Sequence, residues 1–293
     1  MKVFYRRLSK FEYVRPGSLT DALTFLTENR GRVLILAGGT DLIPQLKKRE
    51  LANPDYVMDL KAIPGLEAIS YDDESGLRIG PLATIAAVGR DPVVEQRFKA
   101  LSQAALSMAS PQVRNRGTIV GNICNAVPSA DSAPALLALS ASVRIKNSLS
   151  ERTLALDNFF TGPRRTALAD DEIICEITIP KQNPASRGVY LKLSPRHSMD
   201  LAVVGVAAVG TVEGGICKDV RIALGAVAPT PVRALASEGA LRGQKITSEL
   251  INEAAKNAVS QCSPIDDHRA SREYRCDMVY AMTRRALSQI FAE

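Results

Sequence analysis

Two glycine-bearing stretches are the part of this 293-residue chain whose residue types and spacing best suit chemistry. They run from Leu34 to Asp41 and from Arg114 to Asn122. Glycine removes the Cβ barrier, so successive backbone N–H groups can crowd against a bound anion. Thr40 and Thr118 can each add a hydroxyl donor. Two such stretches in this order indicate a diphosphate held from two sides.

The flanking patterns predict the elements that must position these stretches. Val33 to Leu36 predicts a short buried strand that runs into the first turn, and a helix begins at Leu42. Residues 91–109 predict one helix, which Ser110-Pro111-Gln112 ends shortly before the second stretch. The polar, proline-punctuated segment from Ile123 to Pro134 comes next, and such a segment usually lines a site.

The remaining hydrophobic periodicity predicts a mixture of strands and helices with a junction near residue 180. Ser18 is expected to cap a helix, and Gly214-Gly215 is expected to turn a hairpin. Tyr274, Met278 and Met282 are spaced by four, which favours core packing over a cofactor contact. Further strands are expected at 56–60, 66–70, 77–80, 142–145, 152–156, 172–179, 189–193, 201–212 and 220–227, and closing helices at 247–262 and 271–291.

The amino-acid composition limits the classes of protein to which the chain can belong. The chain is 46% hydrophobic and 23% charged, which is ample for a buried core. Its net charge of +6 comes from scattered basic residues, and aromatics make up 5%, so a solvated surface is favoured over nucleic-acid binding. The charged N-terminus is followed by no apolar stretch, and the longest apolar run falls short of the ~18 residues of a membrane helix. We expect a cytoplasmic protein without a membrane span.

The cysteines and histidines suggest neither a metal site nor a catalytic nucleophile. Five scattered cysteines form no C-x-x-C pair, which favours reduced and mostly packed thiols. His197 and His268 cannot build a metal site without carboxylates that no motif supplies. No Ser/His/Asp or Cys/His triad is visible. We therefore assign no catalytic residue, and any redox chemistry must belong to a bound cofactor.

Five motifs occur in the order of one known family over nearly the whole chain: Ala37–Asp41, Arg114–Asn122, Pro128–Asp131, Lys192-x-x-x-Arg196-x-x-x-Asp200 and Gly225–Arg233. The chain resembles the FAD-binding (medium) subunit of the molybdenum hydroxylases, and within that group most resembles the bacterial xanthine dehydrogenase type. Thr40 stands where carbon monoxide enzymes carry His, which favours the purine type. Val120 replaces a family glycine, so we expect β-region backbone there, with Gly121 making the close approach.

The resemblance implies an α+β fold. It implies an FAD-binding region of the vanillyl-alcohol-oxidase (PCMH) type over residues 1–180, with subdomains of about 1–60 and 61–180. A C-terminal α+β domain of the CO dehydrogenase flavoprotein type would then cover residues 181–293. The predicted junction near residue 180 agrees with this division.

The resemblance also implies a non-covalent FAD site. Asp131 would accept hydrogen bonds from the flavin's sugar-like chain, and Ile174 and Lys192 would contact the flavin. The residues alone leave other roles open: a helix cap for Asp131, a core position for Ile174 and a surface charge for Lys192. The diphosphate would be wrapped by Leu34, Ile35, Leu36, Ala37, Gly38, Gly39, Thr40, Asp41, Thr118, Ile119, Val120, Gly121 and Asn122.

By resemblance the chain is an electron-transfer subunit of a heterotrimer. A molybdopterin-binding large subunit and an iron–sulfur small subunit would hold the other cofactors, and this chain would pass electrons to NAD or another acceptor. One alternative is a self-contained FAD-dependent oxidase or reductase of the vanillyl-alcohol oxidase fold. The block from Val189 to Arg233 argues against it, because that block matches the hydroxylase subunits. A nucleotide-binding module without redox chemistry is the other alternative.

Overall fold

A computed structural model describes residues 7–196 and 199–292 of the chain. Residues 1–6, which form most of the charged N-terminus, and His197, one of the two histidines, lie outside the described residues. The chain forms three regions in sequence order, each with its own sheet and hydrophobic cluster. These regions are called the N-terminal, middle and C-terminal regions below.

The N-terminal region is a three-stranded parallel sheet in the order β1-β3-β2, flanked by two helices. Ser18 caps the first helix as predicted, because its hydroxyl accepts a hydrogen bond from the Asp21 amide at 3.1 Å. Parallel strands end at one edge of a sheet, so β2 delivers the first glycine stretch to that edge. The elements are β1 (Glu12–Val14), α1 (Leu19–Glu28), β2 (Val33–Leu36), α2 (Leu42–Lys48) and β3 (Tyr56–Asp59).

The middle region is an antiparallel sheet in the order β4-β5-β10-β6-β7, with six helices packed on it and a small ribbon, β8-β9, beside it. The single helix predicted over residues 91–109 is interrupted at Phe98, whose buried ring closes one helix and opens the next. The elements are β4 (Ile69–Asp72), β5 (Gly76–Ile79), α3 (Ile85–Arg90), α4 (Pro92–Arg97), α5 (Lys99–Ser107), α6 (Pro111–Arg114), α7 (Ile119–Asn125), α8 (Ser132–Ala138), β6 (Ser142–Lys146), β7 (Glu151–Ala155), β8 (Phe160–Gly162), β9 (Arg165–Thr166) and β10 (Ile173–Ile179).

The C-terminal region is a four-stranded antiparallel sheet in the order β11-β12-β13-β14, covered by three helices. The predicted hairpin forms at Gly214 and Gly215, whose φ values are +59° and +75°. The elements are β11 (Arg187–Leu193), β12 (Val204–Glu213), β13 (Ile216–Gly225), β14 (Val232–Arg233), α9 (Leu235–Leu241), α10 (Ser248–Val259) and α11 (Arg272–Phe291).

The C-terminal sheet is buried on both faces and so joins two cores. Val206 and Ala208 of β12 pack with the C-terminal helices, whereas Ala207 and Val209 pack into the middle core. This is the period-two alternation of a strand. Gly225 of β13 lies so close to α8 that a Cβ there would stand 2.6 Å from the Cγ of Pro134. The C-terminal strands are therefore fixed against the helices that carry the predicted site.

One further local prediction is wrong. In the methionine stripe of α11, Met282 is buried as expected, but Tyr274 in the first turn is 46% exposed. This difference does not alter the fold class, which is α+β as predicted. The second glycine stretch follows helix α6 and leads into helix α7.

Candidate cofactor site

A cavity of about 490 Å³ lies between the two glycine stretches, which is the size range of cofactor and ligand sites. The polar segment that follows the second stretch also lines it, as the sequence predicted, through residues 124–131. The structure brings most of the predicted positions together here: Ile35, Ala37, Gly38, Gly39, Thr40, Asp41, Thr118, Val120, Gly121, Asn122, Asp131 and Ile174.

Four predicted positions do not line the cavity. Leu34 and Leu36 belong to β2, where alternate side chains point to opposite faces, and only their neighbour Ile35 lines the cavity. Ile119 is fully buried in the middle core. Lys192 does not line the cavity; its ammonium pairs with the carboxylate of Asp131, which does.

The first stretch presents a run of free backbone donors. The amides of Gly38, Gly39, Thr40 and Asp41 donate to no group among residues 7–196 and 199–292. Gly39 has a φ of +75°, a left-handed conformation that turns the chain sharply. Consecutive free amides in such a turn form a concave nest that binds anions without a cation.

Gly38 and Gly39 are required for two different reasons. A Cβ on Gly38 would stand 2.2 Å from the carbonyl oxygen of Arg116 and 2.7 Å from the Cα of Gly117, so the two stretches touch through their backbones. Gly39 is required by its positive φ, and a Cβ there would meet the Leu36 side chain at 2.8 Å. An added side chain at either position would therefore meet protein atoms first.

The second stretch forms the start of helix α7. The Thr118 hydroxyl caps it by accepting a hydrogen bond from the Gly121 amide at 2.9 Å. The amide of Gly121 is therefore already committed, and its φ is not positive. Val120 is buried and helical, so the predicted β-region conformation is wrong. Asn122 turns its amide oxygen toward Ser132, whose hydroxyl donates at 2.6 Å.

Asp131 lines the cavity and is the centre of a buried network. It occupies the N-cap position of α8, but its carboxylate makes no cap hydrogen bond. Instead it accepts from the Tyr190 hydroxyl at 2.6 Å and from Lys192 Nζ at 2.9 Å, both on β11. Burial raises the pKa of Asp131 above its ordinary value, while Lys192 and Tyr190 oppose that rise. The C-terminal region thus holds a carboxylate of the middle region in place.

Several lining residues were not predicted from the sequence. Gln45 Nε2 donates to Asn125 Oδ1 at 3.0 Å and so joins the two walls. Arg114 does not line the cavity, but its Nη1 donates at 2.6 Å to the carbonyl of Met108, which does, and thereby holds the turn before α6. Arg114 lies in a recognised motif, so it was available as a candidate, whereas no local signal pairs Gln45 with Asn125. The loop after β11 also contributes lining residues, Met199, Asp200 and Leu201.

The donors of this cavity fit a neutral-amide site for a diphosphate. Within the described residues, the lining contains no lysine or arginine, so the nest at Gly38–Asp41 would hold the anion by itself. Carboxylates at Asp131 and Glu172 can accept hydrogen bonds from sugar hydroxyls. Cys124 also lines the cavity, and burial raises the pKa of its thiol to about 12. That thiol stays protonated and is a poor nucleophile for covalent attachment of a cofactor.

The fold and the cavity define a class of cofactor-binding subunit, and similarity to known proteins identifies it. Residues 9–182 match the family described as the FAD binding domain in molybdopterin dehydrogenase, and residues 189–290 match the CO dehydrogenase flavoprotein C-terminal domain. The chain therefore belongs to the FAD-binding medium subunits of the molybdenum hydroxylase family. It is a subunit of an oxidoreductase and its cofactor is FAD, as the sequence predicted.

Curated relatives match over nearly their full length. The carbon monoxide dehydrogenase medium chain of Hydrogenophaga pseudoflava is 34% identical over 97% of this chain and 98% of its own. The xanthine dehydrogenase FAD-binding subunit of Escherichia coli O157:H7 is 31% identical over 96% of each chain. A solved structure of the Hydrogenophaga pseudoflava enzyme, which lacks the Mo-pyranopterin moiety of its cofactor, superposes with a TM-score of 0.94 at 35% identity, covering 98% of this chain and 99% of that chain.

Across residues 7–196 and 199–292, no helix is both long enough and apolar enough to cross a membrane. The same residues contain no group of three or more His, Cys, Asp or Glu side chains arranged to hold a metal ion.

Proposed function

We propose that the cavity holds FAD with its diphosphate against the Gly38–Asp41 nest and its flavin half toward Asp131 and Ile174. The observation that carries this proposal is a run of four free amides in residues that line a cavity, together with a buried carboxylate in the same lining. Thr118 and Asn122 complete the opposite wall. Lys192 acts through Asp131, whose pKa it lowers against the effect of burial, rather than as a free cation beside the flavin.

We further propose that the chain is the electron-transfer subunit of a three-component complex. FAD, when bound, accepts two electrons and returns them singly or as a pair. A partner subunit with iron–sulfur clusters would supply these electrons from a molybdopterin-binding large subunit, and NAD or another acceptor would receive them. The protein's own groups orient the cofactor and exclude water, and none of them enters the chemistry.

We propose that the chain is of the xanthine dehydrogenase type because of a residue in the first glycine stretch. Thr40 lines the cavity at the position where the carbon monoxide enzymes are expected to carry His. The identities to the two kinds of relative, 31% and 34%, differ too little to support either one. Residues 1–180 are proposed as the FAD-binding domain, divided near residue 60, and residues 181–293 as the second domain. A cytoplasmic location is likewise proposed.

The electron-transfer role is tested by removing FAD from the assembled complex. We expect the FAD-free complex to reduce its iron–sulfur clusters with substrate at the normal rate while losing NAD reduction, and added FAD should restore it. The isolated chain should hydroxylate no aromatic heterocycle but pass electrons from NADH to a dye. Substrate oxidation by the purified single chain would instead support a self-contained flavoenzyme.

Non-covalent binding has a separate test. Because the Cys124 thiol is held protonated, acid denaturation should release all of the flavin into the supernatant. Flavin that remains on the denatured chain would contradict this part of the proposal.

A further inference from the structure

An ion pair between a buried carboxylate and a partly exposed lysine contacts the first glycine stretch. Asp59, at the end of β3, is 4% exposed. Its carboxylate accepts from the Tyr13 hydroxyl at 2.5 Å, from the Lys61 amide at 3.0 Å and from Lys61 Nζ at 2.7 Å. Burial raises the pKa of Asp59, but these hydrogen bonds outweigh it and hold the pKa below its ordinary value. Lys61 is thus held by a carboxylate that remains ionised.

The same Lys61 ammonium also reaches the glycine stretch. Nζ donates to the carbonyl oxygen of Ala37 at 3.0 Å, across 24 residues of sequence. Ala37 and Gly38 line the cavity, whereas Asp59 and Lys61 do not. Lys61 therefore contacts the stretch from the side that faces away from the cavity.

Because the peptide bond is planar, the contact of Lys61 with the Ala37 carbonyl also fixes the direction of the Gly38 N–H donor. The Ala37 carbonyl and the Gly38 N–H belong to one planar trans peptide, so they point in opposite directions. Anchoring the oxygen on Lys61 therefore aims the Gly38 N–H toward the cavity. This peptide can rotate only about ψ of Ala37 and φ of Gly38. Because glycine has the widest choice of backbone conformations, Gly38 is the residue at which it could otherwise turn.

We propose that Lys61, held by Asp59 and Tyr13, is a positioning residue that fixes the Ala37–Gly38 peptide and so prepares the amide nest for the FAD diphosphate. The inference rests on the proposed function, because it assumes that the nest binds the diphosphate. It assigns Lys61 no contact with FAD. Its effect should therefore be confined to the part of the cofactor that carries phosphate.

The test compares cofactor affinities of the full chain after removal of FAD. In Lys61→Met the dissociation constant for FAD should rise about tenfold, the size expected for one charge-assisted hydrogen bond. The dissociation constant for riboflavin, which has no phosphate, should stay within twofold. Lys61→Arg should restore FAD binding to within threefold, since a guanidinium can donate to both Asp59 and Ala37. Lys146→Met, which removes a lysine paired with Glu151 on the middle sheet, is the matched control and should change neither constant.

A second variant separates positioning from folding. Lys61→Met leaves Asp59 with fewer partners, so lost stability alone could weaken binding. The double variant Asp59→Asn with Lys61→Met removes the stranded charge but leaves Ala37 unanchored, and it should still bind FAD about tenfold more weakly. Wild-type affinity in the double variant, or an equal loss for riboflavin, would overturn the inference. Failure of the unaltered chain to bind FAD would instead refute the proposed function.

Discussion

The two walls of the cavity are built from different materials. The first wall, Gly38–Asp41, offers four backbone amides that have no partner among the described residues. The second wall consists of Thr118–Asn122 and Asp131. Three of the five amides of Thr118–Asn122 are already used: that of Ile119 donates to the Ala83 carbonyl, that of Gly121 to the Thr118 hydroxyl and that of Asn122 to the Thr118 carbonyl. The second wall therefore relies on side chains, above all on the buried carboxylate of Asp131.

This difference determines how each wall can be damaged. Backbone donors depend on peptide orientation and on close packing, so steric changes should disrupt the first wall. A buried carboxylate depends on its partners, so removal of a hydrogen bond should disrupt the second wall.

Gly38→Ala should have the largest effect. The new Cβ would stand 2.2 Å from a backbone oxygen, that of Arg116, which cannot rotate away as a side chain can. We expect the unfolding free energy to fall by about 3 kcal/mol and FAD binding to be lost. Chemical denaturation and flavin fluorescence measure the two effects. Gly17→Ala is the control, because nothing lies within 4 Å of a Cβ there; equal behaviour of the two variants would contradict the contact between the walls.

Tyr190→Phe should come next. It removes the 2.6 Å hydrogen bond to Asp131, and a hydrogen bond to a charged group contributes about 2 kcal/mol. Denaturation of the FAD-free chain should show a loss of this size. Tyr280→Phe, whose hydroxyl lies 3.5 Å from the neutral Asn252 Oδ1, should show almost none. A loss as large in Tyr280→Phe would mean that the charge on Asp131 is unimportant.

Tyr190→Phe should also change how the unfolding free energy depends on pH. Burial raises the pKa of Asp131 above its ordinary value of 3.8, so the folded chain keeps this proton to higher pH than the unfolded chain does. The contribution of Asp131 to the unfolding free energy therefore falls as pH rises from its pKa in the unfolded chain to its pKa in the folded chain. Tyr190 opposes the rise, so Tyr190→Phe should extend the falling range to higher pH. A pH series of unfolding free energies that is identical in both proteins would contradict this assignment.

How much of the site could be predicted depends on the range of the interactions. The strand that ends at Leu36 and the turn after it follow from local pattern, and both form as predicted. The helical start at Val120 was also local, since Thr118 is a good N-cap residue, but the family glycine at that position suggested a different backbone. The pairing of Lys192 with Asp131 spans 61 residues and two regions. No periodicity encodes such a contact, so Lys192 was placed in the cavity rather than behind it.

Gly39→Ala should cost about 1–2 kcal/mol, because alanine must adopt the left-handed conformation at a φ of +75°. The contact with Leu36 adds little, since the flexible end of that side chain can move. Gly65→Ala is a matched control with a φ of +81° and no atom within 4 Å. Denaturation should show the same loss in both variants, whereas FAD titration should show weaker binding only for Gly39→Ala. Equal FAD affinities would show that the turn at Gly39 does not shape the nest.

Gly121→Ala should have the smallest effect on the FAD-free chain, because two contributions cancel. Alanine in place of glycine stabilises a helix by about 0.8–1 kcal/mol. The new Cβ would stand 2.9 Å from the Thr118 hydroxyl, which must rotate and give up a cap that contributes about 1 kcal/mol. Gly239→Ala in α9, where nothing lies within 4 Å, isolates the helix contribution and should stabilise by about 1 kcal/mol.

The affinity of Gly121→Ala for FAD then tests whether the second wall contacts the cofactor. Gly121 lines the cavity, so a Cβ added to a wall of unchanged stability reports on the cofactor rather than on folding. We expect the FAD dissociation constant to rise about tenfold, or 1.4 kcal/mol, with no change in unfolding free energy. A stability loss as large as that of Gly38→Ala would mean that both walls are closely packed backbone. Unchanged stability together with unchanged affinity would mean that FAD contacts the first wall alone, and the second wall would then only support Asp131.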